Sequence, residues 1–261
     1  MSERLRSVFE TDRKLLSIFV TAGFPSLDDT VGICEELQAA GVDFIELGLP
    51  FSDSIADGPT IQDANTVALE NGMTVSKALA QLKEIRQRVS IPIVLMGSIN
   101  PVLRYGVENF CEDAVAAGAD GTIFPDLPAE YFKTHYRSIF ESRGLSNIFL
   151  VAPSSDDERI KLIDEMSDGF IYVVSSPGVT GGSVDGTDSW KGYLDHLNSM
   201  KLNSPLMVGF GIENGAQMER ISEKANGVIV GSAFIRALAE STDTRAATRE
   251  FIKNNFPNRT R

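Results

Sequence analysis

Eight short apolar runs of strand character recur along the chain, each followed by a stretch with helical grammar. They are "LLSIFVTAG" from Leu15, "DFIELGLPF" from Asp43, "IPIVLMGSI" from Ile91, "GTIFPDL" from Gly121, "NIFLVAPS" from Asn147, "FIYVVSS" from Phe170, "PLMVGFG" from Pro205 and "GVIVGSAF" from Gly227. Most are continuous rather than alternating, the pattern of parallel strands buried on both faces. Between them, "SLDDTVGICEELQAAG" offers Ser26 as a helix N-cap and Gly41 as a stop. "TVSKALAQLKEIRQRV" repeats Val75, Leu79, Leu82 and Ile85 at helical spacing. Eight strand–helix units in about 250 residues predict an α/β fold, a (β/α)8 TIM barrel, as a single domain over residues 1–261. The alternative is an open doubly wound sheet. The glycines at 209, 211 and 215 in "GFGIENG" lack the G-x-G-x-x-G spacing that would favour it.

Charge narrows the partners. The formal net charge of −12 argues against a nucleic-acid-binding surface. Any anionic ligand must then be held by local donors rather than by the global field. No apolar stretch reaches the ~18 residues of a membrane span, and the charged start "MSERLRSVFETDRK" lacks a signal core. A cytoplasmic protein is expected. Two cysteines, Cys34 and Cys111, and two histidines, His135 and His196, make a His/Cys metal cluster improbable. Both histidines fall in helical segments and read as surface or satisfied groups, and Trp190 reads as packing.

In a barrel of this kind, chemistry sits at the C-terminal ends of the strands. The run Phe44–Gly48 carries Glu46 in its middle, on the face shared with Phe44 and Gly48 and opposite Ile45 and Leu47. The segment that follows, "PFSDSIADGPTIQDAN", runs from Pro50 to about Asn65 before an obvious helical pattern. Loops of that length are frequently functional. Two readings stand side by side. Glu46 and Asp57 are catalytic carboxylates at the barrel mouth, or Glu46 is satisfied by a nearby Arg or Lys while Asp53 and Asp57 are turn residues before Gly58-Pro59.

Two further features converge on that end. "VGFGIENG" and "IVGSAFIRAL" both pass from strand to helix through small residues, and Gly231-Ser232 opens a short helix. Amides at a helix N-terminus hold phosphate without formal positive charge, and such barrels often bind phosphate there; plain tight turns are the alternative. The loop "SSPGVTGGSVDGTDSW", 175–190, has the composition of a flap in which Thr180, Gly181 and Gly182 close over a ligand, or of an ordinary surface loop.

These segments together resemble the tryptophan synthase alpha subunit family over nearly the whole chain. "ELGLPFSDSIADGPTIQ" is the most diagnostic stretch, and "FVTAGFP", "NPVL", "PDLP", "SSPGVTG", "VGFGI" and "VGSAF" follow the family's order. The resemblance implies reversible retro-aldol cleavage of indole-3-glycerol phosphate to indole and glyceraldehyde 3-phosphate. It implies Glu46 and Asp57 as catalytic acids and Tyr172 close to the reacting centre. Gly181, Gly211, Gly231 and Ser232 match phosphate-binding positions, and Phe19 an indole-pocket ring. It implies no metal and no cofactor in this chain. Pyridoxal phosphate is expected in a partner beta subunit, in an alpha2beta2 assembly. Ser54 stands where the family usually has proline, Ser98 where it commonly has tyrosine, and Ser176 where it often has arginine. Alternatives with the same site are a free-standing indole-3-glycerol-phosphate lyase and a non-catalytic activator of the beta subunit; another phosphate-binding barrel would lack "FSDSIADGP". An apolar setting is expected to raise the Glu46 pKa above the ordinary ~4.3 while a loop Asp57 stays ionised.

Overall fold

The computed structural model describes residues 2–174, 189–209 and 211–259. Nine parallel strands form one sheet: β1 Leu15–Thr21, β2 Phe44–Gly48, β3 Ile93–Met96, β4 Gly121–Ile123, β5 Asn147–Ile148, β6 Leu150–Val151, β7 Ile171–Val174, β8 Leu206–Gly209 and β9 Gly227–Val230. The order of pairing is β5-β4-β3-β2-β1-β9-β8-β7-β6. Its two outer members are consecutive in the chain and separated by Phe149 alone, so the sheet closes on itself as a barrel. The run "NIFLVAPS" is thus one barrel strand split in two. Phe149 leaves the ladder on one side, where its amide donates to the Ser167 hydroxyl at 3.2 Å, yet its carbonyl still accepts from the Tyr172 amide at 3.0 Å. Eight barrel positions and nine ladder segments describe the same architecture, the (β/α)8 barrel.

Register identifies the interior. Phe19 pairs with Glu46, Glu46 with Val94, and Ser17 with both Phe44 and Ile229, so these side chains share one face. Phe44 of β2 and Phe170, just before β7, meet ring to ring at 5.5 Å. Those strands lie on opposite sides of the pairing order, so the shared face is the inside. Phe9 joins them from below, 5.7 Å from Phe170 and 6.4 Å from Phe44. It ends helix α1, Glu3–Phe9, whose N-cap Ser2 accepts from the Leu5 amide at 3.1 Å. The floor of the barrel is therefore an aromatic plug, each buried ring contributing about 2 kcal/mol.

Helices wrap the outside because each carries one apolar stripe. Helix α2 spans Asp29–Ala39, α3 Pro59–Glu70 and α4 Val75–Ile85. Thr74 caps α4 by accepting from the Lys77 amide. Two sequence expectations need correction here. Ser26 is not an N-cap: its carbonyl accepts from the Asp29 amide at 3.2 Å, closing a turn that delays the helix, and Asp28 takes the cap position. The long loop ends at Gly58, not near Asn65, because Pro59 starts α3 at a position where a missing amide costs nothing. Cys34 and Cys111 are buried free thiols, and Trp190 is buried.

Two buried carboxylates brace the floor. Asp120 accepts from Ser2 Oγ at 2.7 Å, Arg4 Nε at 2.8 Å and the Ile93 amide at 2.8 Å, and also binds the Arg86 guanidinium. Asp43 accepts from the Leu16 amide at 2.7 Å and pairs with Arg13 and Arg259. No helix of the described residues is long and apolar enough to cross a membrane.

Candidate active site

Glu46 stands two residues above Phe44 on the inner face of β2, with no exposed surface. Neither of its carboxyl oxygens has a hydrogen-bond partner among the described residues. The reading in which a nearby Arg or Lys satisfies it therefore fails. Burial without compensation pushes its pKa up to about 8, because ionisation would leave a bare charge in an apolar tube. Glu46 is a neutral acid at pH 7.

Tyr172 stands two residues above Phe170, on the inner face of β7. Burial, then the charges of Glu46 and Asp57, push its phenol well above the ordinary range. The three groups predicted from sequence thus share one electrostatic neighbourhood. Space for the phenol comes from Gly209 on the adjoining strand, its Val174-paired neighbour: a Cβ there would overlap the Tyr172 ring and hydroxyl. Gly48 does the same for Phe19, since a Cβ at Gly48 would lie 2.5 Å from Phe19 Cζ.

Asp57 approaches from above, on the loop between β2 and α3. It is half-buried, and its pKa is raised by burial but drawn back by hydrogen bonds from Ser54 and Asn65. A narrow cleft opens beneath that loop, lined by Phe19, Gly48, Leu49, Phe51, Asp57 and Met96 among others. Ser98 and Asp126 close its far side, with Ser98 Oγ donating to Asp126 at 2.6 Å. One carboxyl on the barrel's inner face beneath the cleft, one at its rim and an aromatic wall can give and take protons beside an apolar ligand.

The predicted anion site lies alongside. Gly231 is the N-cap of helix α5, Ser232–Ala239, and its carbonyl accepts from the Phe234 and Ile235 amides at 2.9 and 3.0 Å. The first amides of a helix have no intrahelical acceptor and face outward along its axis. A Cβ at Gly231 would lie 3.6 Å from Phe19 Cβ, so this helix start adjoins the aromatic wall of the cleft. Gly211 follows β8 in a half-buried turn with φ of +73°. Thr180 and Gly181, like most of the predicted flap, lie outside the described residues.

Asn65, whose Nδ2 donates to Ser54 Oγ at 3.0 Å and to Asp57 Oδ2 at 3.4 Å, escapes a reading of the sequence. Asn65 sits inside α3, 4% exposed, and reaches back to the loop. Its only sequence signal is a polar side chain on the helix's apolar stripe beside Ile61, Ala64 and Ala68. His196 pairs with Asp157 on the surface at 2.8 Å, and no metal-holding cluster of His, Cys, Asp or Glu occurs among the described residues.

Residues 5–259 match the family model described as tryptophan synthase alpha chain. The tryptophan synthase alpha chain of Christiangramia forsetii is 49% identical over 250 residues, covering 96% of this chain and 97% of that one. Among solved structures, the tryptophan synthase alpha chain of Legionella pneumophila superposes with a TM-score of 0.89 at 31% identity, covering 100% of this chain and 98% of that one. A tryptophan synthase complex from Pyrococcus furiosus superposes with a TM-score of 0.82 at 37% identity, covering 92% and 95%.

Proposed function

Because the chain belongs to the tryptophan synthase alpha chain family, we propose that Glu46, Asp57 and Tyr172 carry the carbon–carbon cleavage that defines it. The reaction is retro-aldol cleavage of indole-3-glycerol phosphate to indole and glyceraldehyde 3-phosphate, with indole passed to a beta subunit for tryptophan synthesis. Pyridoxal phosphate belongs to that beta subunit, and this chain's chemistry is acid–base chemistry. The assembly is read as alpha2beta2, and the chain, 1–261, as one cytoplasmic domain.

Neutral Glu46 gives its proton to the ring carbon that bears the glycerol chain, so that carbon can leave as part of a neutral arene. The ring nitrogen becomes cationic, and the Asp57 carboxylate at the cleft rim stabilises it. Glu46, now an anion, takes the proton of the adjacent hydroxyl as the bond breaks and the aldehyde forms. One carboxyl thus serves twice and ends as it began. An acid with a pKa of about 8 suits that cycle: it is protonated at rest and strongly basic once ionised. Tyr172 shapes the floor of the ring's site, and Phe19 packs its face. Backbone amides at Gly211, Gly231 and Ser232 tether the phosphate. A nest of amides suits a protein whose net charge is −12.

The observation that carries this reading is Glu46, buried, unpartnered and aimed inward beneath the cleft. Indole release from indole-3-glycerol phosphate tests it. Glu46→Gln and Asp57→Asn should each lower kcat by about 10²-fold or more. Turnover of Glu46→Gln within threefold of the parent chain would overturn it.

A further inference from the structure

Resting on that reading of Asp57, we infer that Asn65 is a positioning residue for cleavage: the two N–H bonds of its side-chain amide tie the Asp57 carboxylate and the Ser54 hydroxyl to α3, and so set the direction in which the carboxylate faces the bound ring.

The tie is built from a rigid element outward. Asn65 lies midway along α3, nearly fully buried, and lines the cleft together with Asp57. Its Nδ2 donates to Ser54 Oγ at 3.0 Å and to Asp57 Oδ2 at 3.4 Å. A primary amide nitrogen carries two hydrogens, so these two acceptors use both. An ionised carboxylate can only accept, which settles the amide with its nitrogen, not its oxygen, toward Asp57.

One turn earlier on the same helix, Gln62 holds the main chain. Its Nε2 donates to the carbonyl of Ser54 at 3.2 Å and to that of Asp57 at 3.0 Å. The Asp57 amide donates to the Ser54 carbonyl at 3.1 Å, closing a turn over 54–57. Gln62 thus places the turn, and Asn65 aims the carboxylate within it. Glu46 needs no such aid, because the pleat of β2 already points it inward. Asp57 sits on a loop, and main-chain bonds leave its side-chain torsions free.

Other ionisable groups facing Asp57 are Glu46 on β2 and Tyr172 on β7, whose phenol responds to both carboxylates. Asp53 of the same loop and Asp126 beyond β4 line the cleft with it. Among the described residues no Lys, Arg or His lines that cleft. The Asn65 amide is therefore a neutral donor set against acidic neighbours, and it lowers a proton affinity that burial raises.

The test is the pH profile of indole-3-glycerol phosphate cleavage by the full chain saturated with beta subunit, with melts confirming that each variant is folded. Asn65→Ala should lose about tenfold in kcat at pH 8, the order expected for one hydrogen bond to a charged group, with KM changing less. At pH 6 the loss should be larger, because Asp57 without its donor keeps its proton to higher pH. Asn65→Asp keeps the shape of the side chain but sets a second carboxyl against Asp57, so its acidic limb should move further upward. In an Asp57→Ala background, which retains only residual turnover, Asn65→Ala should cost less than about twofold, since the group it aims is gone. An Asn65→Ala profile that superimposes on the parent's overturns the inference, as does an equal loss in both backgrounds. Asp57→Asn separates the two levels. If it is inactive while the Asn65 variants match the parent, only the positioning fails; if it turns over normally, the reading of the site fails.

Discussion

Phe44 and Phe170 touch across the interior of the barrel at 5.5 Å, and the residues two positions above them on the same strands are Glu46 and Tyr172. An aromatic floor thus fixes the height and the facing of the two groups proposed to act above it. The acid is dry because the floor is closed, and its proton affinity is high because it is dry.

The first consequence is kinetic. On the proposed mechanism Glu46 must hold its proton when substrate arrives, and its pKa is pushed up to about 8. Raising the pH through that value strips the proton from the free chain. The profile of kcat/KM should therefore bend downward near pH 8 and fall about tenfold per unit beyond it. A rate measured from pH 6 to 10 checks this, and a flat line to pH 10 would contradict it.

The second is thermodynamic. The folded chain binds the Glu46 proton more tightly than the unfolded chain, whose carboxyl is near its ordinary 4.5. Stability from this group is complete below about pH 4.5 and drains away as the pH climbs to about 8. Glutamine does not titrate. Glu46→Gln should match the parent's Tm near pH 4 and exceed it by roughly 8–10 °C at pH 8.5. Calorimetric or circular-dichroism melts at both pH values decide it; an equal difference at the two would mean the gain is not protonic.

Gly209→Ala probes the space around Tyr172. The added methyl would overlap the phenol, so the ring must shift or the strands must part. A cost of about 1–3 kcal/mol is expected, with indole release reduced at least tenfold per folded molecule. Urea unfolding and steady-state assays on one preparation give both numbers. Full activity would detach the Tyr172 position from catalysis.

Asp120→Ala addresses the floor. That carboxylate has no exposed surface and gathers Ser2, Arg4, Arg86 and the Ile93 amide. Its loss should destabilise the chain by about 3–5 kcal/mol, since Arg86 is left charged in a half-dry setting. Turnover of the remaining folded fraction should be unchanged. A urea midpoint within error of the parent's would show the bracing to be redundant.

Sequence carried the fold a long way because parallel strands buried on both faces leave a coarse mark. All eight apolar runs became barrel strands, and the alternation around Glu46 correctly put it with Phe44 and Gly48 rather than with Ile45 and Leu47. What it missed was set by contacts distant in the chain. Nothing in "NIFLVAPS" announces that Phe149 turns its amide to Ser167. Pro59 reads as turn chemistry, with the helix placed near Asn65; that it starts α3 instead shows only once Gln62 and Asn65 are seen reaching back to the loop. Asp43 and Asp120 read as ordinary turn acids after Val42 and Ala119. Only the meeting of chain segments more than a hundred residues apart reveals them as buried braces.

Those braces and the cleft share no side chain. Arg13, Arg259, Ser2, Arg4 and Arg86 are committed at one end of the tube, while Phe19, Asp57 and Gly231 work at the other. Foundation and workshop are separate storeys. Selection, natural or directed, can refurnish the upper storey by swapping loops there, while the ties below keep the building standing through the intermediate, imperfect versions.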